Sequence, residues 1–189
     1  DKDPSIISKP LPANVSERSS TAMGFFQSRG WSKAQAAGIV GNLLAESKLN
    51  TGARNPGDGS DGSDSIGVGQ WNSDRAARLK SFAAQNHADW RDFGIQLAFV
   101  DHELRGTESG AGNRLKSAQS IDDATAAMAG YERPAGWSEA NPRGAHNYKG
   151  RLNFAAQAAG EKVNPDWYDR ISPEQRAVID NHVETRNNQ

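Results

Sequence analysis

The chain changes character abruptly where a well-marked helix runs into glycine-rich sequence, and that junction restricts the folds open to it. Ser32, with Gln35 three residues on, is a capping-box signature in front of an alanine-rich run to about residue 47. Residues 50–65 then hold Gly52, Pro56, Gly57, Gly59 and Gly62 and show no apolar period. This stretch reads as a long loop or a small irregular β-hairpin, and loops longer than about 12–15 residues are uncommon unless functional. A helical pattern over 22–28, ending at Gly30, precedes the junction. Others follow it over 73–86, 90–105, 111–118, 120–130, where Ser120 and Asp123 form a capping pair, and 141–159, opened by Asn141-Pro142. The expected fold is mostly α, with the loop or hairpin between helices 2 and 3, and no heptad is sustained long enough for a coiled coil.

The core must be lean. The 189 residues include 27 alanines against 30 leucine, isoleucine, valine and phenylalanine residues together, which suits close packing of helices through small side chains. That length fits one domain with appendages. Residues 1–16, with Pro4, Pro10 and Pro12, read as an extended arm or linker, and residues 17–159 as the helical domain. Residues 160–189 read as a C-terminal helical appendage in which Ser172, Pro173 and Gln175 open a last helix. Trp167, Tyr168, Ile171, Ile179 and Val183 are expected to dock it on the domain; a helix that binds a protein partner is the alternative.

Several chemistries are excluded cheaply. No stretch approaches the roughly 18–20 apolar residues of a membrane span. With no cysteine there are no disulfides, thiol nucleophiles or cysteine metal sites. Charges nearly cancel, at 22 basic against 23 acidic, which argues against electrostatic capture of nucleic acid. His102-Glu103 begins like a zinc helix, but Gly106 stands where the second histidine belongs. The glycine-rich loop lacks a phosphate-cradle ending, and Asp58, Asp61 and Asp64 match a calcium loop only loosely. Neither cofactor nor metal is expected. The start at Asp1, without Met or a leader pattern, is consistent with a leader already removed and leaves the compartment open.

Glu46 is the leading candidate for chemistry. Ile39, Leu43 and Glu46 fall at i, i+4 and i+7, so the carboxylate projects from an apolar stripe at the end of helix 2. A carboxyl desolvated in this way retains its proton, as a general acid requires. The plainer alternative places it at the solvated edge of the stripe.

Four segments occur in a telling order: Gly41-Asn42-Leu43 with Glu46-Ser47; the loop Asp58-Gly59-Ser60-Asp61-Gly62-Ser63-Asp64; Ile66-Gly67-Val68-Gly69-Gln70-Trp71; and Gly130-Tyr131-Glu132-Arg133-Pro134. Over roughly residues 22–154 the chain resembles the lysozyme-like peptidoglycan-cleaving superfamily. It looks most like the phage tail lysozyme family and is similar to goose-type lysozymes and soluble lytic transglycosylases. The resemblance implies a lysozyme-like domain with Glu46 as catalytic acid, Gly67 to Gln70 as the floor of a sugar cleft, and Tyr131 as partner of the acid. It places the loop carboxylate of goose-type enzymes at Asp61, nine residues before Gln70, as a base for water, with Asp58 and Asp64 as alternatives. Each of these aspartates has a plainer reading as a turn cap.

The chain departs from the goose-type pattern at Asn72, where an Asp is usual, and at Glu132, where Asn follows the Tyr. Glu132 is therefore a third participant or an ion pair with Arg133. Ser47, Gly67, Gln70, Trp71, Asn72 and Tyr131 are the candidate substrate contacts. The amides of Gln70 and Asn72 suit N-acetyl groups, and Trp71, Tyr131, Trp137 and Tyr148 suit either sugar stacking or the core.

Such a site implies a muramidase acting on a peptidoglycan glycan strand, in the bacterial periplasm or cell envelope or in a phage virion. The alternatives are a lytic transglycosylase that leaves 1,6-anhydromuramic ends, and a wall-binding or assembly module without chemistry.

Overall fold

The computed structural model describes residues 2–161 and Glu174. The expected helix over 172–187 and the apolar residues assigned to its docking lie outside the described residues, Glu174 excepted. Seven α-helices and one two-stranded hairpin account for the regular structure described. Helix α1 spans Val15–Ser28, α2 Lys33–Ser47, α3 Ser73–Gln85, α4 Phe93–Arg105, α5 Ser109–Ser117, α6 Ile121–Glu132 and α7 Tyr148–Ala159.

Helix α2 is the central element. Its capping box forms as expected: Gln35 N–H donates to Ser32 Oγ at 3.1 Å, and the Ser32 N–H donates to the Gln35 side chain at 2.9 Å. Every residue from 36 to 44 is buried, so this helix is enclosed on all sides rather than along one stripe. Its small residues make that possible. A Cβ built on Gly38 would stand 2.5 Å from the Ala124 carbonyl carbon of α6, and one on Gly41 2.6 Å from the Ala155 nitrogen and Arg151 carbonyl oxygen of α7. Both neighbouring helices thus approach α2 backbone to side, as the alanine-rich composition requires.

The glycine-rich segment is a small hairpin. Strands β1 (Arg54–Asn55) and β2 (Ser65–Ile66) pair antiparallel, Arg54 opposite Ile66 and Asn55 opposite Ser65. Ile66 is bridged in turn to Trp71, which folds residues 67–70 into a tight turn beside the end of α2.

Two helices differ from expectation at their starts. Helix α1 begins at Val15, not near residue 22, because Asn14 caps it and accepts from the Glu17 N–H at 2.8 Å. The expected helix over 141–159 is broken into a single 3-10 turn at Pro142–Gly144 and then α7. Between them Asn147 adopts the left-handed conformation (φ 57°), and the His146 N–H is drawn to the Ala135 carbonyl at 2.6 Å.

The segment before α1 turns once at residues 4–5 and is docked on the body of the protein. Ile6 is buried, the Phe93 N–H donates to the Lys9 carbonyl at 3.1 Å, and the Asp3 N–H donates to Asn86. Gly94 admits it, since a side chain there would meet the Ile7 carbonyl.

Candidate functional site

The end of α2, the 67–70 turn and the end of α6 come together at one place. The Ser47 hydroxyl lies 2.7 Å from the Val68 carbonyl and 3.1 Å from that of Leu43, so it ties the last turn of the helix to the turn after the hairpin. Behind that turn the buried Gln96 accepts from the Val68 N–H at 2.9 Å and donates to the Thr51 and Trp90 carbonyls. Gly67 (φ 75°) sits where a Cβ would meet Gln96 Oε1 at 2.8 Å and the Trp71 ring at 3.0 Å, so only glycine fits.

Glu46 lies at this junction with its side chain 20% exposed, partly buried as its stripe position suggests. It has a partner that the sequence did not indicate. Arg151 of α7, 4% exposed, donates through Nη2 to Glu46 Oε1 at 2.6 Å, while its Nη1 donates to Asn42 Oδ1 at 3.1 Å and its Nε to the His146 carbonyl at 3.1 Å. Three fixed contacts leave the guanidinium little freedom, so the carboxylate beside it is oriented as well.

A second charged cluster lies behind the site. Glu103 of α4, almost fully buried, takes a bidentate contact from Arg75 at 2.9 and 3.2 Å and accepts from the Tyr131 hydroxyl at 2.7 Å. Trp71 Nε1 donates to that same hydroxyl at 2.8 Å, with Glu103 Oε1 at 3.1 Å. Arg75 also donates to the Tyr131 carbonyl at 3.0 Å and stacks 4.5 Å above the Tyr131 ring. Burial pushes the phenol well above its usual range, so Tyr131 stays a neutral donor.

These contacts correct two expectations. Tyr131 bonds to Glu103 rather than to the acid, because a buried carboxylate must collect donors. Trp71 and Tyr131 are both buried and serve as core packing with satisfied polar ends, so neither offers a ring face to a sugar.

Glu132, a candidate third participant, is the last residue of α6. The residue keeps partial exposure, yet its Oε1 is sealed from solvent and has no hydrogen-bond partner among the described residues. Burial, then the nearby negative charge of Glu46, hold its carboxyl well above the usual range against the opposing charges of Arg75 and Arg151. The alternative reading of Glu132, an ion pair with Arg133, does not hold. Arg133, left-handed at the end of α6, reaches instead to Glu108 at 2.7 Å.

The three loop aspartates are bound into the hairpin's own turns. Asp61 is exposed and accepts from the Ser63 hydroxyl at 2.6 Å and the Ser63 N–H at 3.0 Å, which, with Ser73, lower it to about 2. Asp64 accepts from the Gly57 N–H at 3.0 Å and Arg54 Nε at 2.7 Å, and those two contacts lower it as well. Asp58 accepts from the Ser65 hydroxyl at 2.7 Å, and Ser65 Oγ in turn accepts from the Asn72 amide at 3.0 Å. Asn72 is thus a hairpin staple, and the Gln70 amide likewise donates to the Gly67 carbonyl at 3.0 Å. Of the other two candidate aromatics, Trp137 packs over Gly130, and the Tyr148 hydroxyl bonds to Asp122.

Arg75, Asn42, Gln96, Glu103 and Arg151 were not singled out from the sequence as site residues. For Gln96 and Glu103 a signal existed, because Gln96, Phe99 and Glu103 fall at i, i+3 and i+7 on one face of α4. Among the described residues no cluster of histidine, aspartate and glutamate has metal-binding geometry, and no helix is long and apolar enough to cross a membrane. The profile of a family described as phage tail lysozyme matches residues 17–160. No curated protein sequence matches the chain.

Proposed function

The chain belongs to the phage tail lysozyme family, a membership that implies glycosidase-type lysis of peptidoglycan, and from it we propose a muramidase that hydrolyses the β-1,4 bond between N-acetylmuramic acid and N-acetylglucosamine. Glu46 delivers a proton to the bridging oxygen as the C1–O bond breaks, and Asp61, ionised at any working pH, activates the attacking water. Asp58 and Asp64 are the alternative bases. The 67–70 turn and Ser47 form the wall against which the sugar lies, with Gln70 and Asn72 at its rim. The observation that carries this reading is the placement of Glu46: a partly exposed carboxyl oriented by Arg151, on a helix end pinned through Ser47 to that turn. The proposed place of action is the bacterial cell envelope, reached from a virion or from the periplasm.

A second reading has one observation in its favour. All three loop aspartates already accept hydrogen bonds within the hairpin, and a carboxylate lowered to about 2 is a weak base. In a lytic transglycosylase no such base is needed. Glu46 protonates the leaving oxygen, then takes the proton from the muramic 6-hydroxyl as O6 bonds to C1. Mass spectrometry of digested sacculi separates the two readings: reducing ends support hydrolysis, and 1,6-anhydromuramic ends overturn it in favour of the transglycosylase.

A further inference from the structure

The two carboxyl oxygens of Glu46 are made unequal by a chain of hydrogen bonds that starts at Asn42, buried within α2. The Asn42 amide nitrogen donates to the Gly38 carbonyl at 2.9 Å and to the Thr125 carbonyl of α6 at 3.2 Å, which leaves Oδ1 as the acceptor on the side of α7. Arg151 Nη1 donates to that oxygen at 3.1 Å and its Nε to the His146 carbonyl at 3.1 Å, so Nη2 is held against Glu46 Oε1 at 2.6 Å. A guanidinium carries donors only, and a carboxyl oxygen that faces one must accept. Oε1 is therefore barred from turning a hydrogen of its own toward Arg151. Oε2 is different: it has no hydrogen-bond partner among the described residues and is not sealed from solvent.

We propose that Arg151, locked by Asn42 and the His146 carbonyl, is a positioning residue that selects which oxygen of Glu46 carries the catalytic proton: Oε2, the one open to solvent. This rests on Glu46 being the acid, as proposed above, and it holds for hydrolysis and transglycosylation alike. In the acid step the proton on Oε2 passes to the bridging oxygen while the C1–O bond breaks and its electron pair moves to that oxygen. Oε1 stays on Arg151 throughout, and the carboxylate left behind already has a cation beside it. Without the guanidinium the carboxyl turns freely and the proton occupies either oxygen, so the aligned arrangement is lost for part of the time. Arg151 is 4% exposed and all three of its nitrogens bond within the protein, so it acts through Glu46 and not on the sugar.

The test separates kcat from KM for soluble muropeptide release from sacculi by the full chain and its Arg151→Met and Arg151→Lys variants. Arg151→Met removes the donors and should lower kcat by about 100-fold while KM stays within about 2-fold of the parental value. Arg151→Lys keeps a cation but not the planar fork, and should restore part of the loss. In a Glu46→Gln background, Arg151→Met should change the remaining release by less than about 2-fold, because the two residues act as one unit. An Arg151→Met protein with parental kcat, one whose KM rises while kcat stays, or one that loses as much again in the Glu46→Gln background overturns the proposal. If circular dichroism shows Arg151→Met unfolded, Arg151→Lys carries the same comparison, with a smaller loss of kcat expected. If neither folds, a crystal structure of the parent decides: one Glu46 oxygen should lie within about 3.2 Å of Arg151 with the other turned to solvent, and a carboxyl rotated away from Arg151 contradicts the selection. Full activity in Glu46→Gln removes the acid itself, whereas an inactive Glu46→Gln beside an Arg151→Met protein of parental kcat removes only the part given to Arg151.

Discussion

Replacing Gly41 by alanine should weaken the fold and the site together, because one backbone contact serves both. A Cβ at Gly41 would lie 2.6 Å from the Ala155 nitrogen and from the Arg151 carbonyl. Carbon contacts relax at about 3.5–4.0 Å, so α7 must retreat by about 1 Å. Helix propensity favours the substitution by about 1 kcal/mol. Overpacking costs about 1–3 kcal/mol, and the obstacle here is backbone that no rotamer change can clear, which places it at the upper end. The net expectation is a loss of about 1–2 kcal/mol. The same retreat carries Arg151 from 2.6 Å to about 3.6 Å from Glu46, beyond hydrogen-bond range. Misplacement on that scale costs about 100-fold in rate. Gly24 of α1 supplies the control: it is exposed, and beyond its chain neighbours and its own helix backbone no described atom lies within 4 Å of its Cβ position. Gly24→Ala should gain about 0.5–1 kcal/mol and leave activity unchanged. Urea unfolding and sacculus digestion of both variants provide the readouts. A Gly41→Ala protein as stable and as active as the parent refutes the packing account.

Three further outcomes follow from particular contacts. Glu132 keeps its proton in the fold above the 4.5 at which it is released unfolded, so the stability it lends is complete below about pH 4.5 and declines as pH rises toward its folded value. The parent should therefore lose about 1.4 kcal/mol per pH unit in that window relative to Glu132→Gln; parallel pH-stability curves from denaturant unfolding contradict this. Glu103→Gln should cost about 3 kcal/mol in unfolding free energy, because it removes the nearer counter-charge of the mostly buried Arg75 and leaves only Glu108, at 3.8 Å. A loss under about 1 kcal/mol would show the cluster to be dispensable. Ser32→Ala should cost about 1 kcal/mol through the lost cap of α2, and an unchanged urea midpoint would mean that the end of the helix is held by packing alone.

What the sequence showed was mostly local. Ser32 and Gln35 announced α2, the clustered glycines announced the hairpin, and the turn-cap reading of the aspartates matches the bonds that Asp61 and Asp64 accept. The early start of α1 has a local signal too, Asn14 followed by Glu17 three residues on, which the prolines just before it mask. What stayed hidden depends on contacts across the chain. Arg151 lies 105 residues from Glu46 and 109 from Asn42, and no spacing rule links them. Trp71 and Tyr131 read as cleft aromatics because the buried Glu103 that claims both of their polar ends is 32 and 28 residues away from them. Arg133 beside Glu132 invited a neighbour pair, yet the left-handed turn at Arg133 sends its side chain to Glu108. Burial of Glu132 is likewise a product of how α6 ends against its neighbours, which its amphipathic pattern does not record.

The most direct trial of the central claim compares soluble muropeptide release from purified sacculi by the parent and by Glu46→Gln, with sacculus pelleting and circular dichroism on the same samples. Loss of the proton donor should lower release by about 100- to 10,000-fold while helicity and wall binding stay at parental levels. Equal release by the two proteins would mean that Glu46 is not the acid.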